Sequence, residues 1–167
     1  MKKIVVYKSG TGFTKKYAEW IAERCGCKAV ALGKVSEREL NEQDVVIYGG
    51  WIMGNMITGL NKIKKVNPKN LILFAVGSTP DSDNIRTAIQ EQNQIQEYPF
   101  YYFEGGFRFE QLSFPKKTML KMVRNSVAKK ENKTEQDEYM AKVIGTTFDH
   151  SDKKYIEALV SKVNRIK

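Results

Sequence analysis

At 167 residues, 41% of them apolar and 11% aromatic, the chain has the size and composition of one folded globular domain. No window of about 18 apolar residues occurs, which argues against a transmembrane helix. The formal charge of +9 is uneven: residues 105–167 carry 14 basic and 8 acidic side chains, against 14 and 11 over residues 1–104. A basic end of this kind suits an anionic membrane, nucleic acid or an acidic protein, or is simply a solvated face.

The chain opens on Met1-Lys2-Lys3-Ile4-Val5-Val6-Tyr7, whose apolar run stops at Lys8. It reads as a first strand, Lys3–Lys8, and not as an export signal, so the expected location is the cytoplasm. Phe13, Tyr17, Trp20, Ile21 and Cys25 then recur at helical spacing and predict a helix over Phe13–Cys25. A strand at 28–32 and a brief helical turn at 36–41 follow. Residues 44–50 read as a buried strand ending in Gly49-Gly50. Ile57, Leu60 and Ile63 mark a helix that stops before Asn67-Pro68. Next come a strand at 70–77, a polar helix at Asp83–Asn93 and an aromatic strand at 98–103. Residues 104–114 read as a loop, 115–130 as a basic helix and 152–166 as the last helix.

Strands alternating with helices at this spacing predict βαβ units, a parallel sheet and helices on both faces. Five strands suit a doubly wound sheet of order 2-1-3-4-5 in a three-layer α/β/α sandwich. The expected organisation is a single domain over 1–167, with a basic helical insertion or extension around 105–135.

Cys25 and Cys27 are the only cysteines, and His150 is the only histidine. A lone C-x-C far from that histidine predicts neither a metal site nor a Cys/His nucleophile, and the thiols are expected to pack at the helix end. The strongest chemical signal is the loop Ser9-Gly10-Thr11-Gly12-Phe13-Thr14, between the first strand and the first helix. A helix start offers unpartnered N–H groups and a positive dipole end, which together bind phosphate. Ser9, Thr11 and Thr14 add hydroxyl donors, while Gly10 and Gly12 allow close backbone approach. No Walker run occurs, and Thr14-Lys15 stands where a dinucleotide fingerprint needs glycine. The loop therefore suits one terminal phosphate better than a pyrophosphate.

This loop, placed after the first strand of a five-stranded α/β pattern, resembles the flavodoxin family. That family's signature is Thr/Ser-x-Thr-Gly-x-Thr, and residues 9–14 match every fixed position. The resemblance implies FMN, with its phosphate in this loop and its ring held by the loops after the third and fourth strands. The first ring loop would be Gly49-Gly50-Trp51-Ile52-Met53-Gly54-Asn55, in which Trp51 either stacks on the ring or packs in the core, and Ile52 or Met53 covers the ring edge. The second would be Val76-Gly77-Ser78-Thr79-Pro80-Asp81, with Gly77, Ser78 and Thr79 offering donors to the pyrimidine end. No acid/base pair accompanies these loops, so the cofactor would carry the chemistry.

Shuttle flavodoxins are typically acidic, as the resemblance implies, and this chain is basic. Residues 102–112 and Met119-Leu120-Lys121-Met122-Val123 are similar to the branch containing menaquinone-dependent protoporphyrinogen dehydrogenase. Met53 departs from that branch, which commonly has an aromatic residue there, usually Tyr. The branch implies electron flow from a substrate such as protoporphyrinogen IX to a quinone; the alternative is a non-catalytic shuttle serving a partner reductase. A signalling or nucleic-acid-binding module without flavin is a further alternative, although no nucleic-acid motif is present. The basic helix at 115–130 puts Met119, Leu120, Val123 and Val127 on one face. It packs on its own domain, docks an acidic partner, or lies weakly on the inner face of an anionic membrane.

Overall fold

The computed structural model describes residues 1–166. Its centre is a parallel sheet of β1 (Lys3–Lys8), β2 (Lys28–Ala31), β3 (Val45–Met53), β5 (Leu71–Gly77) and β6 (Phe100–Glu104), in the order β2-β1-β3-β5-β6. A short β4 (Met56–Ile57) pairs antiparallel with the end of β3. Counting the five parallel strands alone, this is the expected order 2-1-3-4-5.

Side-chain alternation along the strands divides the core into two layers. Val5, Ile47, Ile72 and Phe74 face α1 (Phe13–Cys25) and α7 (Glu157–Asn164). Ile4, Val6, Val46 and Leu73 face the opposite layer, with Leu40 of α2 (Glu37–Asn41), Ile63 of α3 (Leu60–Val66) and Ile89 of α4 (Asp83–Asn93). The central strands are apolar on both sides because helices cover both faces. Rings reinforce the α1 side: Phe103 lies 4.9 Å from Tyr17 and 5.3 Å from Phe74 between centroids. Cys25 is buried at the end of α1 as expected, and burial pushes the Cys27 thiol up to about 11.

Several local expectations are corrected. Ile57 belongs to β4 and not to a helix, and α3 begins only at Leu60. Gly54 and Asn55 both take positive φ, at 55° and 65°, forming the tight two-residue turn of a hairpin. Residues 104–114 are not simply a loop. Gly106–Arg108 forms β7, which pairs antiparallel with β8 (Thr147–Asp149), a partner about forty residues further on. A Cβ on Gly106 would lie 2.1 Å from the Phe148 carbonyl oxygen, so this pairing needs glycine. Between these strands come α5 (Phe114–Ala128) and α6 (Glu135–Val143), the latter fixed by a Thr134/Asp137 capping box. The basic helix does not pack into the core: of its residues only Val127 is buried.

Candidate functional site

Strand β1 delivers Ser9 to the carboxyl edge of the sheet, where doubly wound folds bind ligands. The chain turns through Gly10 and Thr11 into Gly12, which caps α1 at φ 99°. The Gly12 N–H donates to Ser9 Oγ at 3.1 Å, tightening the turn. No side chain caps α1 and its first turn holds no acid, so its leading N–H groups and positive dipole end remain available. Thr14 is buried at the base of this loop.

The first ring loop is shaped by the β3–β4 hairpin. The Thr58 backbone N–H and hydroxyl both donate to the Trp51 carbonyl, at 3.1 and 3.0 Å. The Trp51 indole lies against the phosphate loop, with Nε1 3.5 Å from a Cβ built on Gly10. Met53 is 55% exposed at the rim. Asn93 clamps the hairpin from α4. Its amide oxygen accepts from the Ile57 N–H at 2.9 Å, and its amide nitrogen donates to the carbonyls of Asn55 and Ile89 at 2.7 Å each. All the groups of this buried amide are thus satisfied.

The second ring loop hangs on β6. The Tyr102 hydroxyl donates to the Thr79 carbonyl at 2.7 Å, and a Cβ on Gly77 would sit 2.2 Å from that hydroxyl oxygen. The Asp81 N–H donates to Glu104 Oε1 at 2.9 Å, while the Asp81 carboxylate pairs with Arg86. Burial raises the Tyr102 hydroxyl well above the usual phenol range, which keeps it a proton donor.

A cavity of about 680 Å³ joins these loops. Of the residues expected at the site, Ser9, Gly10, Thr11, Phe13, Thr14, Trp51, Ile52, Met53, Gly54, Gly77, Ser78 and Thr79 all line it. Gly12 and Gly50 do not. Gly12 shapes the turn from behind, and Gly50 lets β4 approach, since a Cβ there would lie 2.6 Å from the Thr58 carbonyl oxygen. A further part of the lining comes from the tail: Phe107, Arg108, Leu112, Lys116, Met119 and Leu120. Arg108 and Asn93 were not singled out in the sequence. Nothing local marks Asn93 as a clamp, because its partners in the hairpin lie 36 and 38 residues away. The hairpin it clamps did have a local signal, the Gly54-Asn55 pair between apolar residues.

Among the described residues, no cluster of three or more His, Cys, Asp or Glu side chains is arranged to hold a metal ion. No helix among them is long and apolar enough to cross a membrane.

No curated protein matches the chain. Among solved structures it is similar to a flavodoxin from the domain Archaea, at 17% identity and TM-score 0.48, with 99% of this chain and 100% of that one covered. It is also similar to a WrbA-like flavodoxin from Agrobacterium tumefaciens, at 17% identity and TM-score 0.45, covering 86% of this chain and 94% of that one. Against rubredoxin oxygen:oxidoreductase from Desulfovibrio gigas the identity is 16% and the TM-score 0.45; 99% of this chain aligns with only 37% of that one. Residues 4–135 match the sequence profile of the flavodoxin domain, and the chain belongs to that family.

Proposed function

We propose that this chain binds one FMN and works as an FMN-dependent oxidoreductase, removing hydrogens from a protoporphyrinogen-type substrate and delivering each pair to a quinone. The observation that carries the reading is the continuous cavity from the uncapped start of α1, past both ring loops, to an apolar wall on α5. The residues fit the cofactor. The loop at 9–14 has the hydroxyl and backbone donors that a phosphate needs, and the missing side chain of Gly77 makes room for the Tyr102 hydroxyl that anchors the second loop.

Bound there, FMN would supply redox chemistry that no side chain of the cavity offers. The protein's share is binding and orientation. Ser9, Thr11 and Thr14 would hold the phosphate. Trp51, Ile52, Met53 and Gly54 would flank the ring on one side, and Ser78 and Thr79 would serve its polar edge. Tyr102 fixes Thr79 from behind. Leu112, Met119 and Leu120 give an apolar surface for a flat substrate or a quinone. In this reading residues 1–167 act as one domain, with 105–135 as its basic extension.

That extension would also hold the protein at the inner face of the cytoplasmic membrane. Phe114 is 82% and Met122 65% exposed, and no acid occurs from Pro115 to Lys130. An apolar face edged by lysines suits an anionic lipid surface.

The test has two stages. Purified protein should retain, or take up, one FMN per chain; colourless protein that ignores FMN contradicts the whole reading. With FMN bound, anaerobic protoporphyrinogen and menaquinone should together yield fluorescent porphyrin, and omission of the quinone should stop turnover. Binding without turnover removes the named reaction and leaves the cofactor.

A further inference from the structure

Among the described residues Arg108 is a cation of the cavity wall with no carboxylate partner. It ends β7, and the β7–β8 pairing places it opposite Thr147 and over the start of α1. Its guanidinium carbon lies 4.7 Å from the Phe13 ring centroid, and its Nη1 would lie 3.4 Å from a Cβ built on Gly12. The cation thus sits at the positive end of the α1 dipole, where the first turn holds no acid. The other cations of that turn are occupied: Lys16 bonds Asp149 at 3.0 Å and Ser151 at 2.7 Å, and Lys15 faces Glu19 at 3.7 Å.

Two positive features facing one another repel unless an anion lies between them. The cation–π contact with the Phe13 ring offsets part of that cost. We propose that Arg108 donates its N–H groups to the phosphate dianion of the bound flavin, adding a formal charge to a loop otherwise made of neutral donors. The inference rests on the flavin reading above. Its physical basis is that charge-assisted, fork-shaped contacts from arginine suit phosphate better than any neutral donor.

Riboflavin, which has the same ring and ribityl chain without the phosphate, isolates this contact. Full-length wild-type, R108Q and R108K proteins, freed of flavin, are titrated with FMN and with riboflavin by fluorescence quenching. R108Q should weaken FMN binding about ten- to a hundredfold, leave riboflavin binding within about twofold, and flatten the salt dependence of FMN binding. R108K, which keeps the charge and loses the fork, should fall between wild type and R108Q. Equal losses for both ligands, or unchanged FMN affinity, would overturn the role of Arg108 while leaving the flavin reading intact. A wild-type protein that binds neither ligand would overturn both. Thermal melts of the flavin-free variants check folding; if R108Q does not fold, R108K must still lose FMN affinity selectively, and equal affinities there would overturn the proposal.

Discussion

The two walls of the cavity are built on different physical terms. The wall from the β1, β3 and β5 ends is backed by strands most of whose apolar side chains are buried in two layers. The wall from the tail rests on α5, where Phe114, Met119, Met122 and Val123 are exposed and Val127 alone is buried. One wall has its geometry set by a packed core. The other contributes charge and apolar surface with little burial to hold it. In the proposed reading the first wall positions the flavin, and the second offers its apolar surface to the reaction partner.

The largest test of this contrast is in stability. Phe74→Ala, in the core behind the site, should cost about 3–5 kcal/mol in urea denaturation. Met122→Ser on α5 should change stability by less than about 0.5 kcal/mol. Comparable losses would show that α5 is part of the cooperative core. Next in size is the clamp between the walls of the first ring loop. Asn93→Ala strands the Ile57 N–H and the Asn55 carbonyl, and should cost about 1–3 kcal/mol in the same assay. It should also weaken flavin binding, because the Gly54-Asn55 turn loses its anchor.

Much of this contrast can be traced to how far apart in sequence the interacting residues lie. The three loops at 9–14, 50–54 and 77–79 are legible as neighbours because each follows a strand whose apolar pattern is local, and the doubly wound topology then brings them to one cavity. The β4 hairpin was missed although Gly54-Asn55 marked it; Ile57 sits at helical spacing from Leu60, and that period prevailed. The segment carrying Arg108 has the sequence of a loop because β7 is three residues long and its partner β8 lies beyond two intervening helices. No window on the sequence contains that pairing. The same separation hid Asn93.

Smaller effects probe the tail itself. Sedimentation with vesicles rich in anionic lipid should carry down the protein at low salt, and neutral vesicles should not. Replacing Phe114 and Met122 together by Ser should reduce that binding several-fold without changing the melting temperature. Equal binding to neutral vesicles would remove the charge argument. The smallest effect is on α6. The Lys130 ammonium and the Thr134 N–H hold the Asp137 carboxyl at about 2, below its ordinary value. A lowered folded-state value contributes stability above about pH 4, which is lost as pH falls through about 2. Helix content should therefore decline over that acid range, and D137N should abolish this component.

The central claim is that residues 9–14 and the two ring loops form a site for one flavin with a single terminal phosphate. Equilibrium titration of the purified, flavin-free chain with FMN, followed by quenching of flavin fluorescence, tests it most directly. Saturation is expected at one FMN per chain, with no displacement by NAD or ATP. Fluorescence unchanged by the protein, or FMN displaced by either nucleotide at similar concentration, would contradict it.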